Sequence, residues 1–532
     1  MGDVDTVDAV VVGSGVNGLV AAAELASAGW SVALVERNQD IGGFIASGER
    51  TLPGYLHDTY SSWHPLFVSG PAHASLGDRL REHGLEYRNT DGRLTASVAD
   101  DGRVTLAHRD PERTAEGFAH QADRDAYRAG LRRLHDSMGS IGGLLGGEPR
   151  SPAALRHVAG LFENGGRAGA ERWLRSLAAS GRGYARAEFR GSEVDHLFAP
   201  WLLHAGLSPD QASGGVMMPL FAATLHGFGL PVVAGGAGRF IDAFRSLLDS
   251  LGVRVETGRE VERVLVERGR AVGVETAGGR VVRARRAVVA SVSPAALYGR
   301  LLPGDAVGRE LRDEAARFRY GRAALQIHVA LSGPPRWRDG RLGSVPLIHL
   351  SDGSGSTGIA CAEAEAGLLP RRPTVAVGQQ YVLDPGRVPP GAAALWLQLQ
   401  EVPFTPLGDA AGELDTTEGW TPELARGYAD RVLARVAEHA PGLRDSVLAV
   451  DVITPAELAA YNPNAVAGDP YGGSVELDQN FAWRPLPSSG RHATEVAGLW
   501  HIGASTHPGP GLGGGSGHMV AAALVRQFSS VS

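Results

Sequence analysis

Residues 7–36 read VDAVVVGSGVNGLVAAAELASAGWSVALVE, and the fold turns on this stretch. The β-branched run ending at Val12 has the composition of a buried strand. LVAAAELASA then reads as a helix closed by Gly29, and SVALVE as a second strand ending in Glu36. Gly13, Gly15 and Gly18 stand at the offsets of GxGxxG, and Glu36 follows Gly15 by twenty-one residues. Each position has a physical task in a dinucleotide-binding βαβ unit. Gly13 makes the turn, Gly15 lets backbone approach a pyrophosphate, and Gly18 lets helix and strand pack closely. The N–H groups around Ser14, Val16 and Asn17 face the phosphates at the positive end of the helix. Glu36 accepts from ribose hydroxyls, which favours FAD or NAD over a 2′-phosphorylated cofactor. A lone GxGxxG is a weak signal; strand, helix, strand and acid in register make a strong one.

Arg37 follows the acid, and Gly42-Gly43 comes about six residues after it. Such a pair brings backbone close to a second part of the cofactor, which selects FAD. An NAD dehydrogenase would run on into another βαβ unit.

Bulk composition removes other classes. The 532 residues are 43% hydrophobic and 20% charged, with a formal net charge of −7. That balance suits a large protein of two domains and argues against a nucleic-acid partner. One cysteine, Cys361, excludes a disulfide framework and a CxxC redox pair. No lysine occurs, so Schiff-base chemistry and a Walker-A loop are excluded. No apolar run is long enough to span a membrane. Asp3, Asp5 and Asp8 stand where a signal peptide would be basic, so the cytoplasm is the expected compartment. The histidines show no HxxxH or HExxH spacing, and no metal site is expected.

Three further blocks sharpen the reading: TLPGYLHDTYSSWHPLF (51–67), PVVAGGAGRFIDAFRSLLDSLGVRVETGREV (231–261) and EVAGLWHIGASTHPGPGLGGGSGHMVAAALV (495–525). With the fingerprint they resemble the phytoene-desaturase-like flavoprotein family, closest to the branch of the pyridine nucleotide-disulfide oxidoreductase domain-containing proteins. The resemblance implies an α/β fold with a discontinuous Rossmann-like FAD-binding domain of the two-dinucleotide type and an inserted α+β substrate domain. The cofactor domain is expected at 1–75, 230–300 and 485–532. The substrate domain is expected at 76–229 and 301–484. It also implies that Ser61, Ser62, Gly503, Gly511, Leu512 and Gly513 reach the flavin half of FAD, and that Val261 lies against the adenine through its backbone. Tyr60 stands where the family prefers Gly, and Val16 where His is common, so substrate identity does not carry over.

Read alone, the third block is strand, glycine-rich turn and Ala-rich helix, with the helix N-terminus aimed at the cofactor. The glycines at 235–238 lack GxGxxG spacing and are expected to pack against the first domain. SMGSIGGLLGGEPRS (137–151) reads as a flexible connection, a substrate-entry loop or a membrane-touching loop. AALQIHVAL, TVAVGQQYVL and AALWLQLQEV read as strands.

Asp58, Tyr60, His64 and His507 are the candidate catalytic residues, since the resemblance places their segments near the isoalloxazine. For His64 and His507, each followed by proline, a structural role beside a turn stays equally open. His204, His226, His328 and His349 are expected in core or surface roles. The expected reaction is hydride transfer from a C–H bond of an apolar or amphiphilic substrate to flavin N5, by a desaturase or dehydrogenase. Dioxygen or a quinone is the expected acceptor, and peripheral membrane contact stays open. A flavin-dependent isomerase or cyclase, and a non-catalytic FAD-binding scaffold, are the alternatives.

Overall fold

Strand Asp5–Val12 pairs in parallel with Val32–Val35 on one side and with Val281–Ser291 on the other. Ala9, Val10 and Val11 are fully buried, as expected of a parallel strand covered on both faces. The structure, a computed structural model, describes residues 5–163 and 165–529; Asp3 of the acidic start lies outside them. Arg254–Glu256 extends the sheet beyond Val32–Val35. Along the far edge of Val281–Ser291, Leu499–Ile502 pairs in parallel with residues 288–291. The antiparallel hairpin Val261–Glu267 and Arg270–Thr276 occupies the rest of that edge. Helices Val16–Ser27, Gly238–Ser250 and Gly515–Ser529 cover one face through Leu19, Phe240, Phe244 and Val520.

A second seven-stranded sheet runs in the order Val447–Ile453, Ala323–Leu331, Ala393–Val402, Val375–Gly378, Leu347–Leu350, Arg93–Val98, Val104–His108. Helix Pro422–His439 packs on one face of it, its first turn capped by the Thr421 hydroxyl accepting from Leu424 N. After strand Val104–His108, the described residues of 111–228 are almost wholly helical.

Two expectations change. Residues 137–145 are not a loop: helix Gln121–Leu145 runs through them. Gly143 lies so close to the His157 ring that a Cβ would stand 2.2 Å from it. Close packing on helix Pro152–Glu163 thus outweighs the poor helix propensity of the glycines. The strand in TVAVGQQYVL ends at Gly378 and gives way to a short 3-10 turn at 380–382. The glycines at 235–238 do pack inward: Cβ atoms at Gly236 and Gly238 would meet the Ser47 hydroxyl at 2.7 and 2.8 Å.

Candidate functional site

The fingerprint loop is held by its own acid. Glu36 Oε2 accepts from Ser14 N at 2.9 Å and from Ser14 Oγ at 2.7 Å, while Oε1 accepts from Asn38 N at 2.8 Å. The carboxylate therefore ties the loop to the strand end, and Oε1, which accepts only one bond, keeps lone-pair capacity for a ribose. Ser14 O and Oγ in turn accept from Gly42 N, which brings the Gly42-Gly43 turn against the loop. Gly18 packs as expected: a Cβ there would stand 2.0 Å from Gly13 O. At Gly15 a Cβ would have no atom within 4 Å, so the backbone is bare where a ligand would approach. Helix Val16–Ser27 begins with no side-chain cap and no acid in its first turn. Its N–H groups are open to an anion.

Two adjoining cavities meet at this loop. The smaller, about 110 Å³, is walled by Gly13, Ser14, Glu36, Arg37 and Val261. The larger, about 280 Å³, is walled by Val16, Asn17, Gly42, Tyr60, Ser61, Ser62, Gly503, Gly511 and Leu512 among others. Gly15, Gly43, Ser291, Val292, Asn462 and Asn464 wall both, so the cavities form one trough. Bare backbone, an uncapped helix start and an acid at a strand end match the diphosphate and ribose of a dinucleotide.

The far wall is stitched to the near one. Gly503 N donates to Ser516 Oγ at 3.0 Å, and Ser516 Oγ donates to Asn17 Oδ1 at 2.9 Å. Gly517 lies against the same helix, where a Cβ would be 2.1 Å from Asn17 O. Gly513 and Gly18 face protein instead of the trough, Gly513 lying against Leu66 O.

The four catalytic candidates separate. Tyr60 walls the larger cavity, with Tyr461 stacked at 4.6 Å and Phe44 tilted at 5.2 Å between ring centroids. Burial raises its phenol pKa, so it stays protonated. The other three turn away from the cavity, because each is spent on holding the fold. Asp58 is buried, pairs with Arg387 at 2.7 Å, and accepts from Ser62 Oγ and from Ala237 N. The His64 ring is fully buried between Tyr87, whose hydroxyl lies 3.0 Å from Nδ1, and the edge of Phe240. His507 Nε2 bonds the Leu144 carbonyl at 2.9 Å, and its own carbonyl contacts His492 Nε2. Burial lowers both imidazoles to about 4.

Sequence reasoning missed most of the larger cavity's wall. Contrary to expectation, His204 belongs to it, with Trp201, Gln326, Trp396, Gln398, Gln400 and Tyr471. Gln400 Nε2 donates to Tyr471 Oη at 2.6 Å and lies 3.2 Å from His204 Nδ1. His204 Nε2 meets His349 Nε2 at 2.9 Å, and burial lowers His204 to about 4. The signal was present in AALWLQLQEV: Trp396, Gln398 and Gln400 alternate with core leucines on a strand buried on its other face. Arg484 left no signal. It is fully buried, and its guanidinium donates to the carbonyls of Tyr471, Ser474 and Ala504, clamping two stretches of the wall together. Burial lowers it to about 10.

Among the described residues, one group of three possible metal ligands clusters, Asp100, Glu438 and His439. Its two carboxylates already pair with Arg372. No described helix is long and apolar enough to cross a membrane.

The family model for flavin-containing amine oxidoreductases matches residues 17–464. The chain belongs to that family. Among curated proteins it is similar to the pyridine nucleotide-disulfide oxidoreductase domain-containing protein 2 of Rattus norvegicus, 27% identical over 98% of this chain and 94% of the relative. It is also similar to the neurosporene-forming phytoene desaturase of Rhodobacter capsulatus, 26% identical over 96% of this chain and 93% of the relative. Among solved structures, an oxidoreductase from Methanosarcina mazei shares the fold, with TM-score 0.62 at 17% identity over 97% of this chain and 99% of that one. The chain is thus a phytoene-desaturase-like, FAD-dependent oxidoreductase. Its fold is the Rossmann-like α/β fold expected from the fingerprint.

Proposed function

We propose that this oxidoreductase is a desaturase or dehydrogenase that takes hydride from a C–H bond of an uncharged, lipophilic small molecule. One observation carries the reading: among the described residues, no Asp, Glu, Lys or Arg walls the larger cavity. A charged substrate there would lose its hydration and find no counter-ion. The family's name speaks of amines, but this wall offers an ammonium group no carboxylate.

On this reading Ser14, Gly15, Glu36, Arg37 and Val261 hold the adenosine half of FAD. Gly42, Gly43, Ser61, Ser62, Gly503, Gly511 and Leu512 hold the flavin half. The fingerprint sheet with 1–75, 230–300 and 485–532 is the cofactor domain, and the second sheet with the helical stretch is the substrate domain. Bound FAD supplies the two-electron acceptor for the hydride. The chain's own side chains orient the substrate and exclude water. Trp63, Trp201, Phe221, Leu225 and Leu325 provide the apolar surface. Tyr60, His204 and Tyr471 are the wall's titratable side chains, all uncharged at neutral pH. They suit hydride removal from a neutral molecule.

The test is anaerobic mixing of FAD-loaded protein with neutral lipophilic extracts, followed by air or a quinone. Bleaching of the flavin band that is reversed by one acceptor supports the reading and names the acceptor. A protein that cannot be loaded with FAD overturns it. Leu155 and Leu174, 73% and 60% exposed on helices 152–163 and 166–178, are the proposed site of peripheral membrane contact. Vesicle flotation that is lost in Leu155→Ser with Leu174→Ser checks it.

A further inference from the structure

Three strand ends form the floor of the trough. In the first sheet Asp5–Val12 lies between Val281–Ser291 and Val32–Val35, all three parallel. The fingerprint loop thus leaves the middle strand with Ser291 on one bank and Glu36 on the other, the place where open α/β sheets bind ligands. The opposite wall does not come from that sheet. Helix Pro455–Tyr461 follows strand Val447–Ile453 of the second sheet, and the chain leaving it, Tyr461 to Asn464, crosses the trough. Asn462 and Asn464 wall both cavities, and Tyr461 and Pro463 wall the smaller one.

This strap is tied to both banks. On the Glu36 side, Asn38 Nδ2 donates to Tyr461 O at 3.2 Å. On the Ser291 side, Asn464 Nδ2 donates to Ser291 O at 3.1 Å, and its Oδ1 accepts from Ser293 N at 2.8 Å. A carbonyl only accepts and a backbone N–H only donates, so these partners fix which way the Asn464 amide is turned. Between the anchors the Tyr461 ring stacks on Tyr60 at 4.6 Å and lies 6.3 Å from Phe44. Leu458, one turn earlier, is buried against the same two rings. None of these ties belongs to a sheet ladder, and each exchanges a contact that water could make, so the strap can lift with both sheets intact.

FAD has two wide ring systems joined by a thin ribityl-diphosphate link. Laid along the trough, it has its link beneath the strap and a ring system on either side. We infer that the strap at 461–464 is a latch over the cofactor, which enters and leaves when the strap lifts, and that Asn464 and Tyr461 are the positioning residues that hold it down. The inference rests on the proposed placing of FAD along the trough. It adds to the cofactor site a wall supplied by the second sheet, outside the three segments of the cofactor domain.

Exchange rates test it, because a latch and a simple contact differ there. Flavin-free protein is mixed with FAD and uptake is followed by the change in flavin fluorescence; loaded protein is diluted and release is followed by its return. Weakening a latch raises the open fraction of free and loaded protein alike, so both rates rise together. Asn464→Ala removes both ties on the Ser291 side, and Tyr461→Ala removes the ring stack. Each is expected to speed uptake and release at least about tenfold, with the dissociation constant changing less than either rate. Tyr461→Phe keeps the ring and should exchange FAD at the parent's rates. A residue that merely supports the fold or touches FAD would speed release and leave uptake unchanged or slower. Uptake within about twofold of the parent, in an alanine variant that melts as the parent does, overturns the latch and leaves FAD in the trough. So does Tyr461→Phe exchanging FAD as fast as Tyr461→Ala. If Asn464→Ala misfolds, Tyr461→Ala decides the matter. A parent protein that takes up no FAD overturns the latch and the placing of FAD together.

Discussion

Gly517→Ala tests whether the trough depends on two helices touching backbone to backbone. An alanine Cβ would stand 2.1 Å from Asn17 O, whereas carbon and oxygen need roughly 3.3 Å. Helices 16–27 and 515–529 must therefore part by roughly 1.2 Å. The atom in the way is main chain, so no rotamer change absorbs the clash. The cost falls at the upper end of the range for overpacked interiors, about 3 kcal/mol. The same displacement pulls Ser516 Oγ from Asn17 Oδ1, now 2.9 Å away, and so moves Gly503 relative to the fingerprint loop. Expressed in cofactor binding, about 3 kcal/mol raises the FAD dissociation constant roughly 150-fold. Expressed in global stability, it lowers the melting temperature by about 3 °C for a chain of this size. Titrating FAD into flavin-free protein by flavin fluorescence, with thermal melting in parallel, measures both. An alanine variant with unchanged melting and FAD affinity within about twofold of the parent would refute the reasoning.

Three more outcomes follow from the same geometry. Gly15 has φ −59° and space around its Cβ position, so Gly15→Ala should melt as the parent does yet bind FAD at least about tenfold more weakly, read by the same titration. Asp58→Ala leaves the Arg387 guanidinium, 2% exposed, with only Asp384 and the Val233 carbonyl as partners, and should cost about 1–3 kcal/mol in denaturant unfolding with turnover per bound flavin retained; lost turnover at unchanged stability would restore Asp58 to the chemistry. His64, His204, His501 and His507 are each lowered to about 4 by burial, so the unfolded chain binds more protons than the native one between pH 6.5 and 4. Stability is full above pH 6.5 and falls by roughly 3 kcal/mol per imidazole as pH drops to 4. Urea unfolding at pH 7.5, 5.5 and 4.5 checks the slope, and a flat profile contradicts it.

What could be read from the sequence was what local chemistry specifies. Gly13, Gly15, Gly18 and Glu36 carry their meaning in their spacing, because a turn, a bare approach and a strand end lie within one βαβ unit. Strands such as 5–12, 32–35, 323–331 and 393–402 were legible for the same reason, by period and β-branching, whereas 93–98, 104–108, 347–350 and 447–453 of the second sheet were not read. The cavity's polar wall was not, since strands 323–331 and 393–402 are brought together by pairing that no local pattern announces. Its one trace, glutamine alternating with leucine, resembles a half-solvated strand until the sheet is seen to be covered. For His64 and His507 the sequence left a catalytic and a structural role equally open. A histidine before proline suits a turn near a ligand as well as a structural role, but a carbonyl at the end of helix 121–145 takes Nε2 of His507 and the Tyr87 phenol takes Nδ1 of His64. The glycines at 139–143 misled because glycine marks both loops and close helix contacts.

Asn17 and Gly517 are separated by 500 residues and yet share a hydrogen bond. A ribosome adding about 5–20 residues per second takes about 25–100 s to travel from one to the other. Throughout that interval the first helix has been made but its partner has not, and Leu19, Val20 and Ala23 await the surface that will bury them. The trough cannot form on the growing chain, so flavin cannot serve as an early folding nucleus. The contact that closes it is between the two helices themselves, through Asn17, Ser516 and Gly517. Until residue 517 is made, the Asn17 side chain of the first helix has no partner in the second.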